Sequence, residues 1–389
     1  MNNHSPLATG QNQGNLPWLD GLRGLASIWV LLSHIQILTG LRDIPILSWG
    51  ELAVDLFMLL SGFLMAHNYI ARKQTEPWES TRTIGQFWVR RFFRIAPLYY
   101  VVLVVALVAG PQMGHFREAI AQVWPSTATA PERYLDQSLT NIVMHVSFLF
   151  GFSPTYAFRT ALPDWSIGLE MQFYLFFPFI MILMARLSPI VASGLLIGIC
   201  LAIRLFFRDY FHSFPMPAFL AIKFYVFLIG MWIAQARAER TMHMGLLAGV
   251  GLALMWLYLE RNQVAVARLV LVVGMFYLMN NGTLPGSKAL AGATIGLRRL
   301  LSNRVAMFLG ETSYSVYLVH LLIVLPVGGL LARQAAYVAL PSVVRFGIVI
   351  AIALPISYTI GWLLFNSVEK KGIQMGKQVL LRFKPKLAA

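Results

Sequence analysis

Apolar runs of about 17 to 25 residues recur along the chain, separated by short polar and basic stretches. That length is what a helix needs to cross the hydrocarbon of a bilayer. A transmembrane barrel would instead show alternation over about ten residues, so the pattern predicts an all-α, polytopic membrane helix bundle. Spans are expected at residues 19–38, 52–69, 95–110, 165–185, 189–207, 216–235, 244–259, 264–280, 305–331 and 343–365. An eleventh apolar segment, 139–152, is shorter and carries Asn141 and His145, so it spans, lies in the interface or re-enters.

Charge decides between these counts. If 139–152 does not cross, the loops 71–94 and 281–304 and the tail from Glu369 share one side, which then holds about twenty of the 31 Lys and Arg. By the positive-inside rule that side is the cytosol. The expectation is therefore ten spans with both termini cytosolic: a polar tail at 1–17, one transmembrane domain at 18–371 and a basic tail at 372–389. Residues 1–17 lack the basic start and apolar middle of a secretory signal.

Composition agrees with this layout, since 58% of the 389 residues are hydrophobic, 12% are charged and the mean hydropathy is +0.66. A soluble domain does not hide so much apolar surface in one core. The net charge of +15 is spread between the apolar runs rather than gathered in a patch, so nucleic acid is not an expected partner. The single cysteine, Cys200, rules out an intrachain disulfide and a multi-cysteine metal site, and no metal is expected. Two small-residue pairs, Gly194 with Gly198 and Gly245 with Gly249, have the spacing of helix contacts.

A charge near the bilayer centre costs about 2.5–3.5 kcal/mol, so each ionisable residue inside a span asks for a reason. At about 1.5 Å of rise per residue, His34, Asp55 and Glu170 each fall about one turn from the outer end of their helices, and His320 lies near enough to join them. An imidazole beside a carboxylate is the arrangement of a general base, so His34 with Asp55 or Glu170 is a candidate catalytic set. The plain alternative is a histidine that bonds a backbone carbonyl between helices. At the opposite level, Arg23 and the cluster Arg90, Arg91 and Arg94 offer four guanidinium groups suited to phosphates. Anchoring to anionic lipid headgroups is the competing account of the cluster. Lys223 is another lone cation in a span, with snorkelling toward an interface as its ordinary explanation.

These residues resemble the acyltransferase-3 family of membrane acyltransferases. The first span reads Leu19-Asp20-Gly21-Leu22-Arg23-Gly24-Leu25-Ala26 and then Ser33-His34, similar to the family's opening Arg-Gly-x-Ala and histidine. The second, Val54-Asp55-Leu56-Phe57 with Leu60-Ser61-Gly62-Phe63-Leu64, is similar to its aspartate-aromatic and Ser-Gly-Phe block. Arg90-Arg91-Phe92-Phe93-Arg94 resembles the arginine-rich motif, and Trp165 to Tyr174 the tryptophan-to-tyrosine motif. Gly310 to His320 matches a late segment. One departure stands at Lys371, where proline often follows the family's closing Glu-Lys.

The resemblance implies an O-acyltransferase of the bacterial inner membrane. It takes an acyl group, most often acetyl, from cytosolic acyl-CoA, with no permanently bound cofactor. The acceptor is a hydroxyl of a carbohydrate (exopolysaccharide, lipopolysaccharide or peptidoglycan) or of a lipid headgroup or macrolide, and polysaccharide-assembly proteins are implied partners. His34 would be catalytic, and Arg90, Arg91 and Arg94 with Arg23 would serve the donor. No appended esterase-like domain is expected, so completion outside falls to another protein or to the membrane core. Two rivals remain. A proton-coupled transporter of an anionic or lipid-linked substrate would use His34, Asp55 and Glu170 as a relay. A non-catalytic assembly partner would be indifferent to loss of His34.

Overall fold

The computed structural model describes residues 16–41, 44–260, 264–279 and 288–382. Most of the tail predicted at 1–17, the start of the loop 281–304 and the last residues of the basic tail lie outside the described residues. Every regular element among the described residues is helical, because a chain this apolar must satisfy its backbone within each segment.

In chain order the helices are α1 (Pro17–Leu38), α2 (Gly50–Arg72), α3 (Thr81–Val123), α4 (Leu139–Val146), α5 (Trp165–Arg186), α6 (Pro189–Phe206), α7 (Leu220–Ala238), α8 (Met242–Glu260), α9 (Val264–Met279), α10 (Lys288–Leu301), α11 (Arg304–Ala332), α12 (Ser342–Leu364) and α13 (Lys370–Arg382), with single turns between some of them. Among the described residues eight helices are long and apolar enough to cross a bilayer: α1, α2, α3, α5, α6, α7, α11 and the continuous run of α12 into α13. The apolar stretch 242–256 of α8 and the helix α9 are shorter. Side-chain caps start three of the helices, with Ser138, Ser188 and Asn303 each accepting from the amide three residues on.

Two elements are longer than the hydropathy pattern predicts. The span expected at 95–110 is the middle of α3, whose 43 residues would extend about 65 Å at 1.5 Å each. Pro97 and Pro111 lie inside this helix, and prolines beside a basic flank look like helix ends in sequence. The last span likewise runs on, through a π-helical turn at Phe365–Glu369, into α13. There Gly372 and Gly376 lie against Pro97 and Phe93 of α3. By contrast, α4 has only eight residues, a rise of about 12 Å, so 139–152 does not cross as a helix.

Close approach of backbones sets the two central pairs. A Cβ on Gly62 of α2 would sit 2.1 Å from the Phe227 carbonyl oxygen of α7, and one on Gly230 2.1 Å from that of Leu59. Between α1 and α11, a Cβ on Gly24 would lie 2.7 Å from the Gly310 nitrogen, and one on Gly310 2.2 Å from the Asp20 oxygen. Only glycine permits such contacts, which is how helices associate where lipid is as apolar as leucine. The predicted contact pairs divide. Gly245 and Gly249 pack on Ala236 and Phe276, whereas Gly194 and Gly198 meet nothing within 4 Å. They lie on α6, which buries little of its surface.

Candidate active site

The Gly24–Gly310 contact fixes the register of α1 and α11, which run in the same direction. The same offset of 286 residues that separates these glycines separates His34 from His320. Ten residues farther along, about 15 Å at helical rise, the two imidazoles therefore meet. His320 Nε2 lies 3.2 Å from His34 Nδ1, with ring centroids 4.9 Å apart.

The backbone dictates the tautomers. His34 Nδ1 is 2.9 Å from the Val30 carbonyl and His320 Nδ1 is 2.7 Å from that of Tyr317. A carbonyl only accepts, so both Nδ1 atoms carry protons. His320 Nε2 is then a lone-pair acceptor toward the His34 Nδ1–H. His34 Nε2 carries a lone pair and makes no hydrogen bond among the described residues.

Tyr317 anchors this pair. Its hydroxyl donates to the Pro163 carbonyl at 2.7 Å and accepts from Ser166 Oγ at 2.7 Å. Tyr317 and Ser166 also line a narrow cleft that continues past Glu170, Tyr314 and Ser61 to Arg23. The cleft thus runs from Tyr317, whose carbonyl holds His320, to Arg23.

Neither expected carboxylate orients His34, which corrects the sequence reading. Asp55 is buried and ion-paired, with Lys223 Nζ 3.0 Å from Oδ1 and Arg268 Nε 2.7 Å from Oδ2. α2 turns Asp55 toward α7 and α9, while α1 packs on α11. Glu170 faces the cleft, accepting from Ser61 Oγ at 2.8 Å and from the Tyr174 hydroxyl. His320 takes the place assigned to a carboxylate.

The arginines separate into two kinds. Arg90 pairs with Glu76 at 2.9 Å, and Arg94 pairs with Glu369, which the π turn buries and which also accepts from Ser315 Oγ at 2.7 Å. Arg91 has no ion pair among the described residues; it sits 5.7 Å over the Tyr174 ring and its Nε has no hydrogen-bond partner. Arg23 likewise has no ion pair among the described residues, and lines the cleft beside Glu170. Two of the four expected cations are therefore committed to carboxylates and two are not.

Sequence reasoning passed over Arg268, although a lone arginine in the apolar run 264–279 was a signal of the same kind as Lys223. It also passed over Glu369 as the partner of Arg94, and nothing in the local pattern links residues 275 positions apart.

A family model described as an acyltransferase domain, acyltransferase-3, matches residues 16–362. Acyltransferase MdmB of Streptomyces mycarofaciens is 28% identical over 383 residues, covering 91% of this chain and 90% of its own. Peptidoglycan O-acetyltransferase OatA of Listeria monocytogenes is 30% identical over 168 residues, 42% of this chain and 24% of that protein. A putative O-acetyltransferase of Staphylococcus aureus is 25% identical over 343 residues, 79% of this chain and 50% of its own. The matches thus span about a quarter and a half of the last two relatives. No solved structure matches the chain.

Proposed function

Because the chain belongs to the acyltransferase-3 family of membrane acyltransferases, we propose that it moves an acetyl group from cytosolic acetyl-CoA to a hydroxyl of a carbohydrate or related acceptor in the bacterial inner membrane. The observation that carries this reading is the Nε2 of His34, left with its lone pair by a fixed Nδ1–H, in a bundle whose cleft runs from Tyr317, the residue that holds His320, to the unpaired Arg23. In this proposal the domain spans residues 18–371, crosses ten times and keeps both termini in the cytosol.

The donor enters at the arginine end, where Arg91 and Arg23 receive its phosphates and Arg90 borders the mouth. Its thioester reaches along the cleft toward His34, about 16 Å from Arg23 along α1 at helical rise. His34 Nε2 takes the proton of the acceptor hydroxyl as the oxygen attacks the thioester carbonyl. The carbon–sulfur bond breaks, and the imidazolium returns the proton to the leaving thiolate. His320 Nε2, accepting from His34 Nδ1–H, stabilises the imidazolium while it exists. Glu170, with Ser61 and Tyr174, shapes the passage rather than orienting the base.

Purified protein in detergent, given radiolabelled acetyl-CoA and a membrane extract as acceptor, tests this. His34→Ala should slow transfer by about 10²–10⁴-fold while acetyl-CoA still binds. Arg91→Ala should weaken donor binding about tenfold, the value of one charge-assisted contact. Unchanged turnover in His34→Ala would remove the base, and absence of acetyl-CoA consumption by the wild type would remove acyl transfer altogether.

A further inference from the structure

The far end of α3 and the turn after it carry a second group of cations that the steps above do not use. Arg133 is only 6% exposed, with its guanidinium 3.6 Å over Phe158 and its Nε donating to the Thr160 carbonyl at 3.0 Å. Arg117 has an Nε that is buried and without a hydrogen-bond partner. Beside them the Tyr134 hydroxyl is also buried and without a partner, with its ring 5.4 Å from Arg133.

Neither arginine has an ion pair among the described residues. The neighbouring Arg159 does, at 3.7 Å from Asp136. The buried carboxylate on this side, Asp164, accepts instead from Tyr99 at 3.2 Å and Thr160 at 2.9 Å, and lies 3.6 Å from His145 Nε2.

The cluster stands at the histidine end. Trp124, one residue past α3, lies against Gly40 just beyond the end of α1. Arg133 donates to the Thr160 carbonyl, three residues before Pro163, whose carbonyl accepts from the Tyr317 hydroxyl beside His320. Two sequestered cations with a third positive charge forming at His34 during catalysis are unfavourable together unless an anion joins them. An arginine fork and a tyrosine hydroxyl offer the donors that a carboxylate or phosphate oxygen accepts.

We propose that Arg117, Arg133 and Tyr134 form the acceptor subsite and that the acceptor is anionic, a saccharide bearing a carboxylate or phosphate near the hydroxyl that is acylated. This rests on the acyl-transfer reading above. The donor's phosphates belong to the arginine end and the acceptor's charge to this one, so the two anions approach His34 from opposite sides.

The test separates the glycans and lipid-linked saccharides of cells that make this protein into neutral and acidic pools by anion exchange. Each pool is offered to the purified protein with radiolabelled acetyl-CoA. Label is expected to enter the acidic pool, and Arg117→Gln and Tyr134→Phe are expected to raise the KM for that pool about tenfold with acetyl-CoA binding unchanged. Tyr134→Phe removes only an unpartnered hydroxyl, so its melting temperature should not fall. Equal labelling of the neutral pool, or normal kinetics in both variants, overturns the anionic-acceptor proposal and leaves acyl transfer standing. No label in either pool with no acetyl-CoA consumed overturns both. When the acidic pool is treated before transfer, failure to take label after carboxyl reduction assigns a carboxylate and failure after phosphate removal a phosphate; undiminished labelling after both treatments overturns the proposal.

Discussion

His34 owes its arrangement to atoms that sequence reading treats as background. The proton on Nδ1 is fixed by a carbonyl one turn earlier, and the acceptor that shares it comes from a second histidine 286 residues away. The sequence revealed His34, Asp55 and Glu170 because each is polar within an apolar run. It did not reveal which neighbour each side chain faces, since that depends on rotation about the helix axis and on which helix lies alongside. Asp55 shows the difference. Its carboxylate neutralises Lys223 and Arg268 inside the bundle, and Asp55→Asn would leave both facing an amide. Removing one member of a buried ion cluster costs about 3–5 kcal/mol. The expected result is a lower melting temperature in detergent and poor yield, with the kcat of the folded fraction largely kept. Normal stability with abolished transfer would return Asp55 to the chemistry.

The helices themselves were legible wherever an apolar run had clear polar flanks, and were shortened wherever proline or arginine interrupted the run. Pro97 and Arg94 made α3 look as though it began at Ile95, yet the helix continues through both because α13 and Glu369 pack against them. Glycine spacing alone did not separate contact from exposure: Gly245 and Gly249 are occupied, Gly194 and Gly198 are open. This contrast gives a paired test. Gly310→Ala forces a methyl against the Asp20 carbonyl, since a Cβ there would lie 2.2 Å from its oxygen. Overpacking of this kind costs about 1–3 kcal/mol, and the displaced register should separate His320 from His34 and lower turnover. Gly194→Ala should change neither melting temperature nor turnover. If Gly310→Ala keeps full activity, the glycine contact does not set the register of the histidines.

The bundle as a whole has one end rich in arginine, with Arg23, Arg72, Arg90, Arg91 and Arg94, and one end at which the histidines meet. The proposed orientation puts the first in the cytosol. In a Cys200→Ser background, an impermeant maleimide should label Glu132→Cys in intact cells and should reach Arg82→Cys only after lysis. Both positions are exposed at opposite ends of α3 and the turn beyond it; the reverse pattern would invert the molecule. The pairing of α1 with α11 also governs how the protein is made. The two helices that bear the histidines lie near the beginning and the end of the chain, so α1 enters the membrane long before its partner is synthesised. Contacts of such separation form late. Until α11 arrives, Gly24 offers its groove to any passing helix and His34 has only its own carbonyl. A ribosome that stops before Gly310 therefore releases a bundle without His320, and under the proposed mechanism catalytic competence waits until the penultimate apolar stretch docks.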